Sequence, residues 1–202
     1  MVDFFVQGGG FMWPILIALL FGLAIIGERA YSLLNSSSNT DQLFDDVKTT
    51  FDDSGKDQAI ELCKSTPGPV ASIFYAGLSK MGNKKEEIEK AVQNAGGLEM
   101  AFLEKNMIWI NSVITIAPML GFTGTVVGMI KAFEDIKMAN DISPAVVAGG
   151  ISQALLTTAF GLIVAMIMQV AQNFFVSMID KMILDMEEQS IKIVEYLHSS
   201  SK

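Results

Sequence analysis

The sequence almost lacks charge over three long stretches, and this absence decides the class of protein. Asp, Glu, Lys, Arg and His are missing from residues 4–27, 106–130 and 142–179, although the chain holds 22 acidic and 14 basic residues elsewhere. Each stretch exceeds the ~20 residues that a helix needs to cross about 30 Å of hydrocarbon. The third stretch is too short for two spans and a turn. We therefore predict three transmembrane helices.

Cysteine, basic clusters and catalytic motifs are also scarce or missing. The single cysteine, Cys63, can form no internal disulfide, and a net charge of −8 without a basic patch argues against nucleic acid as a partner. The N-terminus carries Asp3 but no Lys or Arg, so we expect no cleaved signal peptide. No nucleophile with a base, metal-ligand cluster or phosphate loop occurs, so we expect neither an enzyme nor a bound metal or cofactor.

The basic residues that flank the three stretches predict their orientation. Arg29 directly follows the first stretch and Lys105 directly precedes the second, whereas Lys131 and Lys137 stand among acidic residues between the second and the third. Lys and Arg accumulate on the cytoplasmic side of membrane proteins. The N-terminus is therefore predicted to face out, and the long middle segment and the tail are predicted to face the cytoplasm.

Turn residues and apolar periodicity predict where the segments begin and end. Ser143 followed by Pro144 has the form of a helix start, and a long helix from Lys84 is predicted to run without interruption through the second span. We predict an all-α membrane protein with three transmembrane helices, two of them long and extending into a cytoplasmic helical bundle. The predicted segments are a periplasmic N-terminus at 1–10, the first span at 11–34, a cytoplasmic helical segment at 35–106, the second span at 107–131, a periplasmic loop at 132–143, the third span at 144–175 and a cytoplasmic C-terminal helix at 176–202.

Small residues recur at helical spacing in the second and third predicted spans. The second span carries Ala117, Gly121, Thr125, Gly128 and Ala132, and the third carries Gly150, Ala154, Thr158, Gly161 and Ala165. Such faces allow two membrane helices to pack closely. Aligned around the axis of an oligomer, the same faces would instead line a slot that is narrow enough for a helix. Both explanations remain open at this point.

Polar side chains at membrane depth are the candidate functional residues. A buried threonine must satisfy its hydroxyl, and a buried glutamine such as Gln153 marks either a functional site or a structural hydrogen bond. A proton path across a membrane normally needs a titratable side chain near its middle. Since the second and third stretches contain none, a second protein would have to supply the acid.

Two sequence stretches resemble the motifs of a known family. Residues 117–133 read APMLGFTGTVVGMIKAF and residues 150–162 read GISQALLTTAFGL. They are similar to the APLLGLLGTVxGMxxAF and GIxxALxTTAxGL motifs of the MotA/TolQ/ExbB proton channel family, in the same order. Three spans rather than four favour the ExbB/TolQ branch. The chain departs from the family at Gln153, where many members have glutamate, and it lacks the proline that often follows the glycine at Gly161.

The resemblance implies a function and a set of partners. It implies a subunit of a pentameric ring in the lipid bilayer of the bacterial inner membrane, surrounding a pair of single-span ExbD/TolR-type helices that each carry an aspartate. Thr125 and Thr158 would face the pore, and Thr157 and Gln153 are assigned to the same proton pathway. Proton flow would drive movement that acts on a TonB-like or TolA-like protein, for energised outer-membrane transport or envelope integrity.

Two other functions are compatible with parts of the pattern. A structural scaffold would use the small-residue faces for oligomerisation alone and would conduct no protons. A secondary transporter would bind its own solute, and such proteins usually show broken helices and inverted repeats. Neither feature is visible in this sequence.

Overall fold

All secondary structure in the described part of the chain is α-helical. The computed structural model describes residues 2–36, 39–139 and 144–200. Eight helices follow one another there: α1 (Val2–Gln7), α2 (Met12–Ser36), α3 (Thr40–Ser54), α4 (Lys56–Ser65), α5 (Pro69–Ser79), α6 (Lys85–Leu103), α7 (Met107–Ala139) and α8 (Pro144–Ser200).

Three helical stretches are long and apolar enough to cross a membrane. They are Met12–Ser36, Lys85–Met138 and Val147–Ser199, and the last two contain 54 and 53 residues. At about 1.5 Å per residue, each of these two is far longer than a bilayer is thick. The predicted all-α architecture with three candidate spans is therefore confirmed.

The second long stretch is interrupted, which the sequence analysis did not predict. Helix α6 ends at Leu103 and α7 begins at Met107, because Asn106 adopts a left-handed backbone with φ of 65°. Asparagine tolerates this conformation better than most residues. The Asn106 side chain also donates a hydrogen bond from Nδ2 to Oε2 of Glu28 at 3.2 Å. The helix predicted to run unbroken from Lys84 is thus divided.

Other boundaries also differ from the prediction. Residues 132–139, predicted as part of a loop, continue helix α7. The N-terminal segment contains α1, which ends before Gly9 turns the chain with φ of 73°. The predicted helix cap at Ser143 lies outside the described residues, although α8 does begin at Pro144.

The chain divides into two compact units. The first contains residues up to Glu28 together with Asn106–Phe174, and the second contains Arg29–Lys105 together with residues from Phe175 onward. In the first unit α2, α7 and α8 pack together, and a β-carbon added at Gly22 would lie 2.5 Å from the sulfur of Met168. This glycine therefore allows α2 to approach α8 closely.

The second unit is a helical bundle built around α5. Ile73, Phe74 and Leu78 on this helix are fully buried.

Polar contacts link α3 to α8 at the edge of this core. Asp41 Oδ1 accepts a hydrogen bond from Gln189 Nε2 at 2.8 Å and pairs with Lys192 Nζ at 2.9 Å. The hydrogen bond from Lys192, followed by that from Gln189, lowers the pKa of Asp41.

A buried arginine is placed at the end of α6. The Arg29 side chain is 1% exposed, and Nη1 donates to the carbonyl oxygen of Phe102 at 3.5 Å. The last carbonyls of a helix have no partner within the helix and favour a nearby cation. Arg29 therefore stabilises the C-terminus of α6, next to the break in the helix.

The reactivity of the single cysteine, Cys63, tests whether α4 is packed into this bundle. Cys63 is 3% exposed, and desolvation raises the pKa of its thiol to about 11, so that the thiol stays protonated at pH 8. We expect a maleimide to label the folded protein at pH 8 at least about tenfold more slowly than the denatured chain, because the thiolate is the nucleophile. Mass spectrometry of timed samples measures both rates.

A matched variant controls for general access of the reagent. The Glu61 side chain is 75% exposed, so a Glu61→Cys substitution in a Cys63→Ala background should label at similar rates in the folded and denatured states. Rapid labelling of Cys63 in the folded protein would contradict the buried position of α4 in the bundle.

Candidate functional site

Helices α7 and α8 approach each other through their small residues. The facing pairs are Ala132 with Gly150, Gly128 with Ala154, Gly121 with Thr157, and Ala117 with Gly161. Residue numbers fall along α8 as they rise along α7, so the two helices run antiparallel. A β-carbon added to Gly161 would lie 2.5 Å from the carbonyl oxygen of Ala117, which real atoms do not tolerate. The two small-residue faces therefore meet inside one subunit.

Thr157 occupies the centre of this contact. Its side chain is 1% exposed, and Oγ1 donates to the carbonyl oxygen of Ala154 at 2.7 Å and lies 3.3 Å from that of Gly121. A β-carbon on Gly124 would lie 2.6 Å from the same Oγ1. Gly124 thus provides the space into which Thr157 fits. The sequence analysis placed Thr158 on this line, but the structure places its neighbour Thr157 there.

Thr158 is shifted to the edge of the helix pair, and its hydroxyl is not satisfied. The residue is half-buried, yet its Oγ1 is inaccessible and has no hydrogen-bond partner among the described residues. A helical threonine usually bonds the carbonyl three or four residues before it. For Thr158 the carbonyl four residues back belongs to Ala154, which already accepts from Thr157 Oγ1. Thr157 Oγ1 is thus satisfied within the helix pair, whereas Thr158 Oγ1 makes no hydrogen bond to the described residues.

Thr125 lies close to Thr158 along the helix pair. Thr125 is half-buried, and its Oγ1 donates to the carbonyl oxygen of Phe122 at 2.6 Å. It follows Gly121 by four residues and so shares a helix face with it. A β-carbon on Gly121 would lie 3.0 Å from Cα of Thr158. The two threonines are therefore within about one helical turn of each other, on facing helices.

Gln153 contacts the N-terminal turn. A β-carbon on Gly9 would overlap the Gln153 amide nitrogen, and Gly9 has a positive φ. The positive φ favours glycine at this position, and the absence of a side chain leaves the space that the Gln153 amide occupies. The Gln153 side chain thus packs against the turn between α1 and α2, within the first unit. This position agrees with a structural role for Gln153.

The site therefore separates into a buried contact and an edge. Thr157 and most of the small residues form the contact, whereas Thr125, Thr158 and the half-buried Ala165 lie beside it. The sequence analysis did not include Gly124, Val164 or Met168 in the packing face, although Val164 and Met168 are 3% and 0% exposed on the buried side of α8. The sequence carried a signal for this face in the form of an alternating spacing of three and four residues, which keeps side chains on one seam of two packed helices. This spacing runs through Ala154, Thr157, Gly161, Val164 and Met168.

The fold and this site define a membrane protein whose second and third spans form a tightly packed antiparallel pair bearing hydroxyl groups. The family model for the MotA/TolQ/ExbB proton channel family matches residues 65–188. The chain belongs to this family. Its matched segment includes the whole of the α7–α8 contact described above.

The relatives include proteins named ExbB and a protein named TolQ, the two names of the branch that the sequence favoured. An ExbB-like biopolymer transport protein of Synechocystis sp. is 28% identical over 92% of this chain and 90% of its own length. The Tol-Pal system protein TolQ of Pseudomonas aeruginosa is 29% identical over 55% of this chain and 54% of its own. The biopolymer transport protein ExbB of Xanthomonas campestris is 33% identical over 49% of this chain and 39% of its own. The chain thus spans about half or less of the last two relatives.

The α7–α8 contact predicts that alanine at either of two glycines destabilises the protein. Gly121→Ala should lower the free energy of unfolding by about 1–3 kcal/mol, because its β-carbon would meet the backbone of Thr157 and Thr158. Gly124→Ala should destabilise similarly, because its β-carbon would meet the Thr157 side chain. Thermal unfolding of the purified protein in mild detergent measures both changes.

A second substitution distinguishes a clash with the α8 backbone, expected at Gly121, from a clash with the Thr157 side chain, expected at Gly124. Thr157→Ala removes two of the three side-chain atoms that crowd Gly124, so it should partly rescue Gly124→Ala but not Gly121→Ala. Gly149→Ala is the control, since nothing lies within 4 Å of its added β-carbon. Equal rescue of both variants would argue against the described register of α7 and α8.

Proposed function

We propose that this chain is the pore-forming subunit of a motor complex of the ExbB/TolQ type that is driven by the proton-motive force. Copies of the chain form a ring, a homopentamer, around single-span partner helices of the ExbD/TolR type. The partner contributes the acid that is missing from the spans of this chain. Proton flow then produces relative movement, which acts on a TonB-like or TolA-like protein in energised outer-membrane transport or envelope integrity.

The unsatisfied hydroxyl of Thr158 carries this proposal. An unpaired polar group in hydrocarbon is costly, so it gains most from a polar partner brought by another chain. A carboxyl group accepts a hydrogen bond from a hydroxyl when ionised and can also donate one when protonated. Rotation about the Cα–Cβ bond of the half-buried Thr158 would turn the buried Oγ1 outward, where the hydroxyl can donate to the ionised acid or accept from the protonated acid. Thr125, within about one turn, offers a second hydroxyl on the same pair of helices.

The charge distribution supports an acid supplied by a partner. No Asp, Glu, His, Lys or Arg occurs in residues 106–130 or 142–179. Gln153 stands where many relatives carry glutamate, and its side chain contacts Gly9. We therefore assign Gln153 to positioning the N-terminal turn, and we assign proton transfer to the threonines and the partner's carboxylate.

The energy available from the membrane potential suits a motor. One charge that crosses 100 mV releases about 2.3 kcal/mol. Several protons in each cycle would therefore supply enough free energy to rearrange a helix interface. We place the complex in the bacterial inner membrane, with the N-terminus in the periplasm and with α3–α6 and the end of α8 in the cytoplasm.

The alternative functions have less support. A scaffold without proton conduction would need the small-residue faces for contacts between subunits, but these faces pack against each other within the chain. A secondary transporter would need a solute site and usually a broken helix near mid-membrane. Among the described residues, α2, α7 and α8 run through the predicted spans without a break, and the turns at Gly9 and Asn106 lie outside the ends of these spans.

Removing one hydroxyl tests the proposal. Thr158→Val keeps the size and shape of the side chain but cannot hydrogen-bond, so we expect at least about a tenfold loss of proton flux, whereas Thr158→Ser should keep most of it. Flux is measured with an internal pH dye in liposomes that contain the chain and the single-span partner that co-purifies with it. Thr125→Val should also reduce flux.

The control is a threonine of α7 that lies on another face of this helix than Thr125. Thr123 is exposed and bonds the Met119 carbonyl at 2.8 Å, so Thr123→Val should leave proton flux within about twofold of the parent. Size-exclusion chromatography with light scattering verifies that each variant still assembles. Normal flux through assembled Thr158→Val complexes would refute the assigned role of Thr158.

A further inference from the structure

One side of the α7–α8 pair is polar both at the threonines and at the end that is predicted to face the cytoplasm. A residue that follows a seam residue lies about 100° around its helix, and in two antiparallel helices these following residues are on the same side of the pair. Thr125 and Thr158 lie on this side, which we call the threonine side. Gln169 follows Thr158 by eleven residues and returns to within about 20° of its face. Asn111 likewise lies within about 40° of the face of Thr125.

Asn111 and Gln169 lie at the same level of the helix pair. Helices α7 and α8 each have a fully buried residue seven positions from the contact between Ala117 and Gly161. Asn111 and Gln169 directly follow these two buried positions, and both are exposed. Gln169 Nε2 donates to Asn173 Oδ1 at 2.9 Å, so a third amide belongs to the same group.

Gln172 adds an amide that is not satisfied. Its Oε1 is inaccessible and has no hydrogen-bond partner among the described residues. Gln172 follows the fully buried Met168 by four residues, so it lies between the seam and the threonine side. A buried oxygen that lacks a donor needs one from outside the chain, and water is the donor that commonly bridges such groups.

Depth in the membrane does not by itself explain these amides. Contact with lipid headgroups alone would favour polar residues on every face of α8 at this level. The other faces instead carry Ile167, Val170 and Phe174, which are 46%, 71% and 61% exposed. On another face of α7, the Ser112 hydroxyl is satisfied within the helix by the Ile108 carbonyl at 2.8 Å. The amides therefore follow the threonine side.

The stretch between the threonines and the amides also offers room and an acceptor for water. Gln169 is about 16 Å from Thr158 along the helix. On α8 the half-buried Ala165 lies within this stretch, and its small side chain leaves space beside it. On α7 Pro118 lacks an amide hydrogen and cannot bond the Ile114 carbonyl four residues earlier. In membrane helices, ordered water is one of the groups that satisfy a carbonyl freed by proline.

We propose that Asn111, Gln169 and Gln172 hold the water through which protons leave the ring toward the cytoplasm. This inference rests on the proposed function. When the O–H bond of the partner's carboxylic acid breaks, its electron pair stays on the carboxylate and the proton joins a neighbouring water. Exchange of O–H bonds from one water to the next then delivers the proton to the cytoplasm. The amides neither gain nor lose a proton: they are positioning residues that orient the water.

Chemical labelling from the cytoplasmic side tests for this water. In a Cys63→Ala background, Gln169→Cys is compared with Val170→Cys, its neighbour on another face at nearly the same depth, in inside-out vesicles that contain the chain and its single-span partner. A membrane-impermeant methanethiosulfonate should modify Gln169→Cys at least about tenfold faster, because the reactive thiolate forms in water and not in lipid. Mass spectrometry of timed samples measures both rates. Equal rates, whether fast or slow, would overturn the inference.

Proton flux tests whether the water is used. Gln169→Leu removes the amide and should lower flux in the liposome assay at least about fivefold, whereas Gln169→Ser still binds water and should keep most of it. Val170→Leu exchanges one apolar side chain for another and should stay within about twofold of the parent. Normal flux through assembled Gln169→Leu complexes would overturn the inference. Equal losses in Gln169→Leu and Gln169→Ser would indicate a structural role and would also overturn it.

Thr158→Val separates this inference from the proposed function. If Thr158→Val loses proton flux but Gln169→Cys labels no faster than Val170→Cys, the water exit is overturned and the proposed function remains. If the parent complex with its partner conducts no protons, both are overturned.

Discussion

The structure depends on direct backbone contact between α7 and α8. Lipid chains are as apolar as leucine, so two membrane helices gain little from the hydrophobic effect and must associate by close packing and hydrogen bonds. Gly121 and Gly161 bring carbonyl oxygens and α-carbons to van der Waals distance, and Gly124 admits Thr157. A methyl group at any of these three positions would separate the helices.

The close contact also determines which hydroxyl is available for function. Thr157 enters the contact and donates its hydroxyl to the Ala154 carbonyl. Thr158 lies at the edge of the pair with an unsatisfied oxygen. In this arrangement, two consecutive threonines have different tasks because helical geometry points them about 100° apart. The first is required for packing, and in the proposed function the second interacts with the acid of a partner.

Composition and spacing predicted the class of fold but not its local details. Charge-free stretches predicted three spans because hydrocarbon excludes charge, and this constraint does not depend on tertiary contacts. The break at Asn106 was missed, since asparagine is also common within helices and only its contact with Glu28 distinguishes this position. Thr158 was placed on the buried line because a step of four was taken from Ala154, whereas the packed seam takes a step of three there and reaches Thr157. The partner of Gln153 could not be predicted, because it lies on the distant turn at Gly9.

The absence of an acid in these spans has a physical consequence for a motor. A carboxylic acid carried by the ring itself would be buried in the membrane in every state, and its ionisation would be penalised wherever the partner stood. An acid on a separate helix meets the hydroxyls of α7 and α8 only at certain relative positions. Its protonation therefore depends on where that helix stands in the ring. In the proposed complex, this dependence links proton binding to movement, because each protonation state favours a different position of the partner.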